Sequence, residues 1–186
     1  MYQLIQSFIN ILLFRAGPQD VPASYSTLKL VIIACFITDV LGALGTLGLS
    51  LAALLSAGQI ALYSALIFLL LKFNNKPERW LQTLTALFGA LALINLASYP
   101  FIQNLNLIRD GQLVITPGIM IVAALQLWFF IVMARILRDA LEVTLGRALL
   151  LTFLIINIVP LVLSSFVGML GLNPTTLIVD PTTGNG

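Results

Sequence analysis

Five apolar stretches, each long enough to cross a hydrocarbon layer, follow one another along the chain with short polar breaks between them. A membrane helix needs about 20 mostly apolar residues to cross a core roughly 30 Å thick. The stretches from Thr27 to Gly48, Ser50 to Phe73, Glu78 to Ile102, Thr116 to Arg138 and Thr144 to Leu170 meet that requirement. The run from Leu28 to Leu71 is too long for one span, so Gly42, Gly45, Gly48 and Gly58 mark where it folds into an uncharged hairpin. The pattern predicts an all-α fold, a polytopic transmembrane bundle of five spans over residues 27–172.

Ahead of the first span, Leu4, Ile5, Phe8, Ile9, Leu12 and Leu13 share one helical face, with Gln3, Gln6 and Asn10 elsewhere. That spacing predicts a short amphipathic interfacial helix at the cytoplasmic surface, or one packed on the bundle. Helix and elbow together occupy residues 1–26. Residues 173–186 carry Pro174, Pro181 and two Pro-Thr-Thr triplets around Leu177-Ile178-Val179, and read as a short extended segment or outer tail. The first residues have no basic region and no small-residue cleavage pattern, so no secretory signal is expected there.

Charge orients the bundle. Of nine Lys and Arg residues, Arg15, Lys29, Lys72, Lys76, Arg79, Arg135, Arg138 and Arg147 fall on one side and Arg109 on the other. Short cytoplasmic loops keep positive charge, which predicts a cytoplasmic amino terminus and an extracytoplasmic carboxyl terminus. Hydrophobic residues are 60% of the chain and charged ones 9%, against about 25% charged in soluble domains. The net charge of +2 is accounted for by attraction to anionic lipid, so no nucleic-acid partner is expected. The expected partners are the bilayer and a membrane-protein partner or a second copy. Cys35, the single cysteine, lies inside the first span and reads as a small packing residue.

A charge inside a bilayer costs about 2.5–3.5 kcal/mol on insertion scales, and Asp39 is the one carboxylate deep within a span. It lies ten residues beyond Lys29, roughly 15 Å deeper and out of pairing range. Each other span carries one strongly polar interior residue: Gln59, Asn95, Gln126 and Asn157. Counted along their helices, all five fall roughly 17 to 24 Å from the cytoplasmic end and are candidates for one polar layer. In such a layer the Asp39 carboxyl would be neutral, donating to an amide oxygen, and suited to carry a proton or coordinate a cation. Interhelical glue is the plainer reading, at about 0.6 kcal/mol per bond.

Gly42, Gly45 and Gly48 recur every third residue and form a candidate helix-packing seam or dimer face. Pro160 is expected to kink the fifth span beside Asn157. In Phe14-Arg-Ala-Gly-Pro-Gln-Asp-Val-Pro-Ala-Ser24, Gly17, Pro18 and Pro22 break helix formation, and Arg15 and Asp20 are close enough to clasp across the turn. Arg15, Gly17, Pro18, Gln19, Asp20 and Pro22 form either a rigid elbow or a docking site for a partner or lipid headgroup. Arg135 with Asp139, and Arg138 with Glu142, have the i, i+4 spacing of helical ion pairs. Lys72 to Arg79 reads as a topology determinant.

The elbow sequence FRAGPQDVPAS, followed by closely spaced spans, resembles a group of small bacterial inner-membrane proteins of uncharacterised function. More loosely, five spans after a short amino-terminal segment are similar to the Yip1-domain architecture. That resemblance implies the bacterial inner membrane as location and a role in membrane organisation or trafficking, and it carries over no functional residues.

No enzyme and no cofactor are expected. The chain has no histidine for metal binding or serine activation, and no second acid at the depth of Asp39 for a proton-sharing pair. The favoured expectation is a non-enzymatic membrane scaffold or assembly factor. The alternative is a proton- or cation-coupled transporter or channel subunit using Asp39.

Overall fold

The computed structural model describes residues 2–102, 108–109, 112–113 and 116–169. The proposed tail at residues 173–186 lies outside them. Helix α1 (Tyr2–Leu12) leads through a 3-10 turn at Pro18–Asp20 to α2 (Tyr25–Phe73). A second 3-10 turn, Pro77–Arg79, opens α3 (Trp80–Ile102), and α4 (Pro117–Leu141) and α5 (Leu145–Met169) complete the bundle. Between α3 and α4, a two-residue ribbon pairs Ile108 with Leu113 and Arg109 with Gln112. Five helices are long and apolar enough to cross a membrane: the arms Tyr25–Gly45 and Leu47–Phe73 of α2, then Pro77–Ile102, Pro117–Leu141 and Leu145–Met169.

The two arms of α2 turn at Gly48, the one non-helical residue in a 49-residue run. Its φ of +69° belongs to the left-handed region that a side chain disfavours. Of the four glycines that mark the hairpin, this one makes the turn. Among the described residues nothing packs on the expected seam: a methyl group on Gly42 or Gly48 would meet nothing within 4 Å, and Gly45 is exposed. Backbones close elsewhere. A methyl on Gly58 would strike Leu163 of α5, and one on Gly89 would strike the ring of Phe8.

Helix α3 is the centre of the bundle, with every residue from Thr83 to Ala92 buried. From Thr83 to Ala92 it is apolar or small on all sides, as a helix surrounded by other helices requires. The outer faces of the other spans expose Leu49, Leu127, Phe153, Leu161 and Phe166, the surface that hydrocarbon would cover. Several hydroxyls within the spans bond back to their own helices, as Thr38 does to Cys35 and Ser64 to Ile60, whereas the buried Ser98 and Thr152 hydroxyls have no hydrogen-bond partner among the described residues.

Helix α1 takes the packed alternative of its two readings. Phe8 and Ile11 are buried against the bundle, while Ile5, Ile9 and Leu13 on its remaining apolar surface stay exposed. The elbow continues that seat. Phe14 packs at a tilt against Trp128 with ring centroids 5.2 Å apart, Trp128 Nε1 donates to the Leu12 carbonyl at 3.1 Å, and Gly17 and Pro18 are buried.

The expected ion pairs are replaced. Glu142 leaves the helical conformation as the cap of α4, with φ 54° and ψ 42°, which carries its side chain off the row shared with Arg138. It pairs instead with Lys76 and with Arg79. Arg79 also donates to the Asp139 and Ala140 carbonyls at 3.2 and 3.3 Å, satisfying the end of α4. Arg135 lies over the Phe14 ring at 5.5 Å rather than against Asp139. Among the described residues Arg15 and Asp20 form no ion pair either, because the Asp20 carboxylate accepts the Gly17 N–H at 2.8 Å.

Two predictions follow from these contacts. Replacing Phe8 by Ala is expected to cost about 3 kcal/mol and to release α1, read as a lower melting temperature and faster proteolysis ahead of Pro18 in detergent. Hydrogen bonds from Lys76 and Arg79, then their charges, hold the Glu142 carboxyl below its usual range. A depressed folded value means the clamp stabilises above the ordinary glutamate range and fades as pH falls through the lowered value. The gap in melting temperature between the wild type and Glu142→Gln is therefore expected to close on acidification.

Candidate functional site

Four helical arms each deliver one polar side chain to a common depth. Asp39, Gln59, Asn95 and Gln126 each lie fourteen or fifteen residues from the basic-side end of their helical arm, at Tyr25, Phe73, Trp80 and Leu141 respectively. At 1.5 Å per residue this is about 21–22 Å in each case. Equal depth would be compatible with side chains facing in different directions. Here all four line one cavity of about 360 Å³.

Every span contributes to its wall. Asp39 comes from the first arm of α2, Gln59 and Tyr63 from the second, Leu91 and Asn95 from α3, Gln126, Phe129 and Phe130 from α4, and Ile156 from α5. Helical spacing explains the grouping, since Gln59 and Tyr63, Leu91 and Asn95, and Gln126 and Phe130 are i, i+4 pairs that share a face. Asp39 and Asn95 hold the centre. The Asn95 amide donates to Asp39 Oδ1 at 2.5 Å, and the Cys35 thiol faces Oδ2 at 4.0 Å. The carboxylate accepts in both contacts, whereas a carboxyl donating to the amide oxygen was expected.

The other polar groups have no such partner. Gln59, Gln126 and the Tyr63 hydroxyl make no hydrogen bond among the described residues, although they line the same space. Gln126 is exposed, while Tyr63 and Phe129 are buried. Among the described residues, no group of three His, Cys, Asp or Glu side chains could hold a metal ion.

Asn157 does not join this layer. It is exposed on α5 and its amide donates to its own helix at the Phe153 carbonyl, 2.7 Å away. The proline at 160 lies inside the same helix one turn on. Tyr63, Phe129 and Phe130 were not among the expected site residues. The signal available for them was their helical spacing from Gln59 and Gln126.

A larger hollow of about 730 Å³ opens at the basic end, lined by Pro18, Gln19, Arg79, Gln82, Arg138, Asp139 and Glu142 among others. Its charges of both signs are partly engaged in the Arg79–Glu142 clamp, so the smaller cavity holds the more unusual chemistry. The elbow residues divide: Gly17 and Pro18 are buried against the bundle, while Arg15, Gln19, Asp20 and Pro22 are exposed.

No family model matches the chain, and no curated protein or solved structure matches it either.

The contrast between the two asparagines is testable. Asn95→Leu removes the donor to Asp39 and is expected to lower the melting temperature in detergent by several degrees, whereas Asn157→Leu, on the lipid-facing side, is expected to leave it unchanged or raise it.

Proposed function

We propose that the protein is a carrier or channel subunit of the bacterial inner membrane that handles protons or small cations at Asp39. The observation that carries this reading is the convergence of polar side chains from four helical arms on one cavity around the single carboxylate in the interior of a span. Interhelical glue accounts for Asp39 with Asn95, which bond to each other. It does not account for Gln59, Gln126 and Tyr63, which line the cavity and make no side-chain hydrogen bond among the described residues. Unpaired amides at such depth are costly unless something occupies the space they face.

The carboxylate has no Lys or Arg among the residues around its cavity, so an arriving cation or proton would neutralise it. The distribution of eight basic residues against one supports a cytoplasmic α1 and elbow, and with Lys29 and Arg135 near the headgroups the cavity sits about 14–15 Å into the hydrocarbon. A second reading, the scaffold or membrane-organising protein to which the Yip1-like pattern points, is favoured by the exposed elbow residues Arg15, Gln19, Asp20 and Pro22.

The test is a flux measurement in proteoliposomes under an imposed pH or sodium gradient. Asp39→Asn keeps the shape and removes the charge, and is expected to cut flux at least about tenfold, with melting temperature retained, while Arg15→Ala leaves flux intact. Equal flux from wild type and Asp39→Asn would refute the reading. Loss of a co-purifying membrane partner on Arg15→Ala, with no gradient-driven flux in any variant, would favour the scaffold.

A further inference from the structure

Resting on the cation-handling reading and naming its ligand class, we propose that the mid-membrane cavity binds a small organic ammonium ion, a protonated primary amine with a short apolar tail. The first argument is size. A water molecule claims about 30 Å³ of liquid, so a cavity of about 360 Å³ is far larger than a proton or a bare alkali ion needs. It matches the lower end of the range of about 300–1,000 Å³ typical of small-molecule sites.

The second argument is the donor and acceptor inventory. A primary ammonium presents three N–H donors and no acceptor. The cavity offers the Asp39 carboxylate, whose Oδ2 has only the distant Cys35 thiol, and the unengaged side-chain oxygens of Gln59 and Gln126. One negative charge and the neutral acceptors of Gln59, Gln126, Asn95 and Tyr63 satisfy one monovalent cation bearing N–H groups. A divalent metal ion would call for six or more oxygen ligands with more than one carboxylate among them.

The third argument is the rest of the wall. Tyr63, Phe129 and Phe130 place three aromatic rings around the same space, next to aliphatic Leu91 and Ile156. Aromatic rings attract a desolvated organic cation by about 2 kcal/mol, and the aliphatic side chains suit a hydrocarbon tail. A bare inorganic ion gains nothing from the aliphatic part of that wall.

The experiment is a thermal-shift and calorimetric titration of the purified full chain in nanodiscs at pH 7.5. The probes are n-butylammonium, its neutral isostere n-butanol, and sodium chloride at equal ionic strength. Butylammonium is expected to raise the melting temperature saturably, while butanol and sodium at the same concentration do not. Asp39→Asn is expected to weaken butylammonium binding at least about tenfold, as loss of a charge-assisted hydrogen bond would. Gln59→Leu, which leaves the carboxylate in place, is expected to weaken it a few-fold and serves if Asp39→Asn folds poorly.

An equal response to butanol, or butylammonium binding indifferent to both substitutions, would overturn the proposal. Asp39-dependent proton or sodium flux without butylammonium binding would overturn it while leaving the cation reading intact. Absence of both flux and binding would remove the two together.

Discussion

The hydrogen bond between Asn95 and Asp39 is the contact on which the interior of this bundle depends. In hydrocarbon a carboxylate has no water to fall back on, so it must find its partners within the protein. Asn95 lies on α3, the helix most enclosed by the others, and Asp39 on the first arm of α2. The bond therefore fixes α2 against the core helix at one depth and one rotation. The cavity follows, because the faces of α2 and α4 that carry Gln59 and Gln126 are brought round to the same space.

Packing at the basic end reinforces that arrangement. Phe8 fills the space that Gly89 leaves on α3, Phe14 and Trp128 tie the elbow to α4, and the Arg79–Glu142 pair joins the start of α3 to the end of α4. These contacts hold α3 and α4 together from their basic ends to the level of the cavity. Trp128, which anchors the elbow, is followed directly by Phe129 and Phe130 in the cavity wall, so elbow and cavity share one turn of α4.

Much of this was legible in the amino-acid pattern. Hydrophobic length alone placed five spans whose starts agree with the helices to within a few residues, and the glycine-marked hairpin turns at Gly48. Depth along a helix is readable from residue counts, which is why the polar layer was visible for Asp39, Gln59, Asn95 and Gln126. Rotation is not readable from counts. Asn157 has the right depth and the wrong face, and its amide is satisfied by its own backbone. Likewise, the recurrence of Gly42, Gly45 and Gly48 carried no information about what lies opposite. The glycines in close contact, Gly58 and Gly89, are set by Leu163 and Phe8 from distant parts of the chain. The i, i+4 rule for Arg138 and Glu142 failed because it presumes a helix that continues, and Glu142 is where α4 stops.

The most direct test of the account is a double-mutant cycle on Asp39 and Asn95, with unfolding of the single and double alanine variants measured in the same detergent. The account predicts a coupling energy of about 1 kcal/mol or more, above the average of about 0.6 for hydrogen bonds between membrane helices. Additive losses, with no coupling between the two positions, would mean that the pair does not organise the bundle and that the cavity built around it is not the centre of this protein.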